Sequence, residues 1–339
     1  MNITEKLNSI IETKENIKEA IQNKGVIIED TTPFSEYANK INNINSSLKS
    51  VTVNTNASIV TYSGYWTKCL TELPPFTLAD NVTSCNYLFA YFLGEHLDLS
   101  KLNTSNITNM SNMFISSYNL KDLDLSHFNT SKVTNMGNMF TACQSLTFLD
   151  ISNFDTSNVT TMGNMFNSCI SLPSIDVSSF NTSQVTEMGR MFFDLYKIQS
   201  LDISNFNTSN VVSMGDCFYR CGELTTLNMT GLDLSKVSST SSIIEGCGKL
   251  TNLTFGNNLG KGFTQQQNNY YQLSLSSSTS LTHESLMSVI NGLYDLNLTY
   301  DVANGGTLYT QSLRLGATNI AKLTEEEILI ATNKGWTIS

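Results

Sequence analysis

Charge is scarce in this sequence: only 14% of its 339 residues are Asp, Glu, Lys or Arg, and the acidic ones outnumber the basic ones by 29 to 19. A net charge of −10 and an isoelectric point near 4.8 exclude the basic footprint that nucleic-acid phosphates require. Histidine is nearly missing. His96, His127 and His283 are the only three, and none stands at a catalytic or metal-ligand spacing from a cysteine or carboxylate. There is no Gly-rich phosphate loop, nucleophile elbow or paired-acid motif, so an enzyme is not expected. Long apolar runs are absent too. No segment reaches the length that spans a bilayer, and residues 1–20 carry charges throughout without the apolar core of a secretory signal, so export by a signal of its own is not expected. Seven cysteines, an odd number in a chain of this size, do not form a disulfide framework.

What the chain has in abundance is repetition. The tetrad Leu97-Asp98-Leu99-Ser100 returns in related form at Leu123, Leu149, Ile175, Leu201, Leu227 and, truncated, Leu253, at a period of 26 residues. Within the unit 123–148, Leu123 and Leu125 alternate with Asp124 and Ser126, the pattern of a strand with one buried face. Met136, Met139, Phe140 and Cys143 then fall at i, i+3, i+4 and i+7, which predicts a helix of about two turns. One unit cannot close around its own apolar residues. Stacked units can, because the Met column (Met110, Met136, Met162, Met188, Met214) and the Phe column (Phe114, Phe140, Phe166, Phe192, Phe218) then become continuous core. Cys143, Cys169, Cys221 and Cys247 share one repeat position with Ser117 and Leu195, so they read as small, buried, free thiols. Cys217 and Cys221, four residues apart, lack the two further ligands that zinc needs.

The pattern LDLS-x-F-(N/D)-T-S-x-V-T-x-M-x-x-M-F-x-x-C-x-x-L, nearly intact from Asp98 to Leu224, closely resembles the BspA-like leucine-rich repeats of bacterial and protist surface proteins. That resemblance implies an α/β solenoid, with a parallel β-sheet on one side, short helices on the other, and a binding or adhesion role. A second, shorter resemblance lies in IKEAIQNKGVIIEDTTPFSEYANKI, which looks like the small N-terminal module of phage tail and fibre proteins. It implies attachment to other virion structural proteins through residues 1–49, with Ile17, Ile21, Phe34, Tyr37 and Ile41 as the apolar contacts. A helical capping or oligomerisation piece is the alternative reading of the same residues.

The expected organisation is therefore a helical attachment module at 1–49, then a β-hairpin and irregular cap rung at 50–96. The repeat array follows at 97–255, and a C-terminal α/β cap at 256–339 that continues the sheet. A helix is expected from Thr282 to Leu293, a strand from Leu308 to Leu315, a helix from Thr324 to Lys334 and a strand from Trp336 to Ile338.

Two surface features stand out. Strand alternation points Asp98, Asp124, Asp150, Asp176 and Asp202 outward in one column, with Phe148 beside it as a stacking surface. Glycan hydroxyls or calcium would suit such a column, and local satisfaction by neighbouring serines and water is the competing account. In the unit beginning at Ile175, Phe193 and Tyr196 stand where other units are mostly polar, and Tyr219 repeats the Phe193 position one unit later. Phe193 and Tyr219 should be neighbours, in a contact patch or in a repacking around the lost cysteine. No resident cofactor is expected. The expected function is a non-enzymatic bacteriophage tail-associated fibre or host-recognition component binding a bacterial surface glycan or protein receptor. The alternative is a bacterial cell-surface adhesin. Repeats of this kind set no oligomeric state, so a homo-oligomer stays open.

Overall fold

The structure is a computed structural model that describes residues 51–53, 76–78, 80–237, 242–256, 259, 261, 272–298 and 311–339. The attachment residues Ile17, Ile21, Phe34, Tyr37 and Ile41 lie outside them, as do the two turns of the expected hairpin.

Successive 26-residue units stack in parallel and in register. Residues at one repeat position pair along the array, Ser84 with Asn109, then Asn135, Thr161, Glu187 and Ser213. The tetrads pair the same way where they form full strands. β3 (Ser200–Asp202), β4 (Thr226–Asn228) and β5 (Asn252–Thr254) make a parallel sheet with Leu201, Leu227 and Leu253 abreast. Alternation is as expected from the sequence: Leu123 and Leu125 are buried, while Asp124 and Ser126 face solvent. Before the array, β1 (Val51–Val53) pairs in parallel with β2 (Phe76–Leu78).

The expected short helix of each unit is not there. From Met136 to Cys143 the backbone instead makes a run of tight turns, with Asn138 and Ala142 both in the left-handed region, at φ of 57° and 59°. Alternate N–H groups close turns within the unit, Met139 to Met136, Thr141 to Asn138 and Cys143 to Phe140. Those between them donate to the next unit, Met136 to Thr161, Asn138 to Gly163, Phe140 to Met165 and Ala142 to Asn167. An eight-residue helix is marginal alone, and here every second N–H finds a carbonyl one rung away while the others close tight turns. The inward spacing survives because this turn also delivers Met136, Met139, Phe140 and Cys143 to the core, all fully buried.

The interior is a set of columns. The rings of Phe89, Phe114, Phe140, Phe166, Phe192 and Phe218 stack at centroid spacings of 5.5 to 5.8 Å, nearly parallel. A second column, unforeseen from sequence, is polar. Thr104, Thr130, Thr156, Thr182 and Thr208 are buried, and each hydroxyl donates to a backbone carbonyl of the following rung, as Thr130 does to Asp155 at 3.0 Å. A buried hydroxyl without that carbonyl would be costly, so the column fixes the register between units.

The C-terminal segment does not continue this sheet. After β5 the open edge is covered by α1 (His283–Gly292), whose Ser285 and Ser288 hydroxyls accept the N–H groups of Leu253 and Phe255, both at 2.9 Å. Capping by side chains prevents further strand addition at that edge. A separate parallel sheet follows, β6 (Gln272–Ser274), β7 (Gln311–Arg314) and β8 (Trp336–Ile338), with α2 (Gly316–Ile320) and α3 (Glu325–Asn333). α3 opens on a capping box in which Thr324 and Glu327 exchange hydrogen bonds. Lys334 closes α1 from outside, its ammonium donating to the carbonyls of Ile290, Asn291 and Leu293.

Candidate functional site

The aspartate column is exposed, and each carboxylate serves its own turn through one oxygen. In each tetrad the carboxylate accepts the N–H of the serine two residues on, from Asp98 with Ser100 to Asp202 with Ser204, at 2.9 to 3.0 Å. Asp124 and Asp150 also take the serine hydroxyl at 2.6 and 2.7 Å. These are Asx turns that end each strand. The same serine groups hold all five carboxyls below the usual Asp range. Among the described residues no group of three or more His, Cys, Asp or Glu is arranged to hold a metal ion. Phe148 lies on this same face, 67% exposed, at the repeat position that His96 and Asp122 occupy two and one rungs earlier. His96 and Asp122 are themselves paired at 2.8 Å.

A second group lies on the turn segment of the rungs that begin at Ile175 and Leu201. Phe193 and Tyr219 stack at 5.1 Å and 18°, as their shared repeat position demands. Four charged residues surround them that the sequence reading passed over. Arg190 and Asp216 share one repeat position and pair at 2.9 Å, and the Arg190 guanidinium lies 5.6 Å above the Phe193 ring. Asp194 and Arg220 share another position and stand 3.8 Å apart. Across two rungs the signs therefore alternate like a checkerboard. Burial raises the Asp194 carboxyl, and Arg220 opposes that shift.

All four charged residues have left-handed backbone, with φ between 54° and 60°, at positions that other rungs fill mostly with Asn, Ser or Ala. The arginines are the more exposed partners, 56% and 62% of their side chains against 24% and 21% for the aspartates. The guanidinium groups thus face out, and the carboxylates are tucked behind them. Tyr196, 51% exposed, packs against Gly222: a Cβ there would meet the ring Cε2 at 2.8 Å. The signal for this group was in the repeats, because two of the chain's three arginines fall in adjacent units, each opposite an aspartate, at positions uncharged in the other units.

Leu195 fills the space of the missing cysteine and is fully buried. The local repacking and the outward aromatics are therefore both present, on opposite sides of the same turn.

Residues 79–148 and 143–255 match the family described as Mycoplasma protein of unknown function, DUF285. No curated protein matches the sequence. Among solved structures the chain is similar to the functional domain of InlJ from Listeria monocytogenes, described as including a cysteine ladder. The identity there is 18%, over 78% of this chain and 67% of that one, and the TM-score of 0.20 is too low to carry an argument. The two family matches together run from residue 79 to residue 255, more than half of the 339 residues, and so the chain belongs to the DUF285 family of BspA-like repeat proteins.

Proposed function

We propose that this chain is a non-enzymatic recognition protein, a solenoid of short parallel strands and tight turns whose stacked repeats hold a binding face rigid for a glycan or protein receptor on a bacterial surface. The observation that carries this reading is the contrast between core and surface. The Met, Phe and Thr columns are repeated with little variation, whereas the outward turn positions of the rungs from Ile175 to Leu224 depart from their siblings in aromatic and charged residues together. The four charges pair between rungs and so help to stack them, but the arginines also leave more than half of their side chains open to solvent beside the exposed Tyr196.

Residues 1–49 are the proposed attachment to other virion proteins, which would make the molecule a tail-associated fibre or host-recognition component. Mass spectrometry of purified phage particles tests this: the chain should be present in the particles, and its absence would end the viral reading. The cell-surface alternative draws on the family's own description, which names a bacterium. Surface biotinylation of the producing cell would label the chain in that case. A polysaccharide-degrading activity is disfavoured because the aspartates form a uniform series of Asx turns rather than a differentiated acid pair. Release of reducing ends from capsule would reinstate it.

A further inference from the structure

We propose that the outward face of Tyr196, with the guanidinium groups of Arg190 and Arg220, binds a carboxylated sugar residue of a surface polysaccharide. The proposal rests on the recognition reading above and names the ligand class for its binding face.

The platform comes first. Tyr196 is backed by glycine, which lets the ring lie directly on the backbone of the next rung, as the 2.8 and 3.1 Å approaches of Cε2 and Cδ2 to a Cβ position at Gly222 show. That contact seats the ring against the next rung, while the residue as a whole stays 51% exposed. An exposed tyrosine ring seated on the backbone offers a stacking surface to the apolar C–H face of a pyranose ring. Phe193 and Tyr219 stiffen the surround by stacking on each other at 5.1 Å.

The charge sets the kind of sugar. Arg190 and Arg220 are more than half exposed, and each is held from behind by an aspartate. A guanidinium carries five N–H donors in a planar fork, so one aspartate leaves donors facing solvent, and a carboxylate matches that fork. The two outward guanidiniums sit on adjacent rungs, within one ligand's reach of each other through the paired aspartates between them. Single-stranded nucleic acid also stacks on tyrosine, so oligo-dT serves as the competing anion in the test.

Calorimetric titration of the full chain tests the proposal, with trigalacturonate and 3′-sialyllactose as carboxylated probes and galactotriose and lactose as their neutral counterparts. At least one carboxylated probe should bind, with its neutral counterpart weaker by about tenfold or more, as a lost charge-assisted bond implies. Tyr196→Ala and Arg220→Asn should each weaken binding by a similar factor. Tyr196 is exposed and Asn is tolerated in left-handed backbone, so both variants should keep the wild-type melting temperature to within a few degrees. Equal binding of poly-glutamate or oligo-dT would reduce the site to a charge effect and overturn the proposal. So would binding that Tyr196→Ala leaves unchanged, or no binding of either carboxylated probe. A pull-down on intact bacterial cells separates the two levels: cell binding that survives Tyr196→Ala removes this site and keeps the recognition function, whereas no cell binding by the wild type removes that function.

Discussion

The thiol of Cys143 donates to the backbone carbonyl oxygen of Phe114, one rung earlier, at 3.2 Å. Cys169, Cys221 and Cys247 do the same to Phe140, Phe192 and Phe218, and Ser117 does it with a hydroxyl to Phe89. The cysteine position is therefore a small polar clip on the Phe column. Its chemistry follows from burial, which pushes the thiols of Cys85, Cys169 and Cys217 up to about 12 and raises Cys143 as well.

A buried thiol that stays protonated does not attack a disulfide reagent. Ellman's reagent at pH 8 should therefore leave the six described cysteines of the native protein untouched, so that at most Cys69 reacts. All seven should react in guanidinium. Rapid native labelling of two or more thiols would contradict the burial.

The Phe stack should be the most sensitive part of the array. Phe140 is fully buried between Phe114 and Phe166, so Phe140→Ala should destabilise by about 3–5 kcal/mol. The outward Phe148 is an internal control from the same unit, because Phe148→Ala should change stability by less than about 0.5 kcal/mol. Urea denaturation of the two variants provides the comparison.

The turns make a different demand. Asn138 has φ of 57°, a region that glycine enters freely and a β-branched residue does not. Asn138→Gly should be near neutral, whereas Asn138→Val should cost about 1–3 kcal/mol. A helix at this segment would reverse the order, since valine is a better helix former than glycine. Thermal melts of the pair therefore distinguish the turn run from a helix.

Acid should weaken the protein through the aspartates. Asp98, Asp124, Asp150, Asp155, Asp176 and Asp202 all lie below their ordinary range because serine N–H and hydroxyl groups bind the charged form. A carboxyl lowered in the folded state contributes stability above its unfolded pKa of about 3.9 and loses it as pH falls through the folded value. The melting temperature should accordingly fall on acidification below about pH 4. Replacing Asp124, Asp150 and Asp176 together with Asn, which keeps an Asx-turn acceptor but does not titrate, should flatten that fall. Millimolar calcium should leave the melting temperature of the wild type unchanged, because the column is spent on its own turns. A rise of several degrees would restore the cation reading.

Much of the fold was legible because a repeat samples the same environment many times. The period, the inward columns, the neighbouring of Phe193 and Tyr219, and the helix that Thr282 caps all follow from spacing alone. The short helices did not, because an i, i+3, i+4, i+7 spacing reports which side chains go inward and not how the backbone turns between them. The outward aspartates were read correctly as exposed. Their pairing with serine was among the readings on offer, and only hydrogen-bond geometry favoured it. The charged checkerboard at Arg190, Asp194, Asp216 and Arg220 was missed because residues 26 apart had to be compared across two repeat positions at once.

By itself the sequence determined a stack of 26-residue units and which side chains they bury, since periodic apolar residues have nowhere else to go. Tertiary structure decided what the backbone does with its hydrogen bonds. Alternate donors that local reading assigns to a helix go instead to the next rung, and the edge expected to carry another strand is closed by two serine hydroxyls. Those choices depend on which acceptor lies nearest in space, and for residues 26 or more apart in the chain that is fixed only once the rungs have stacked.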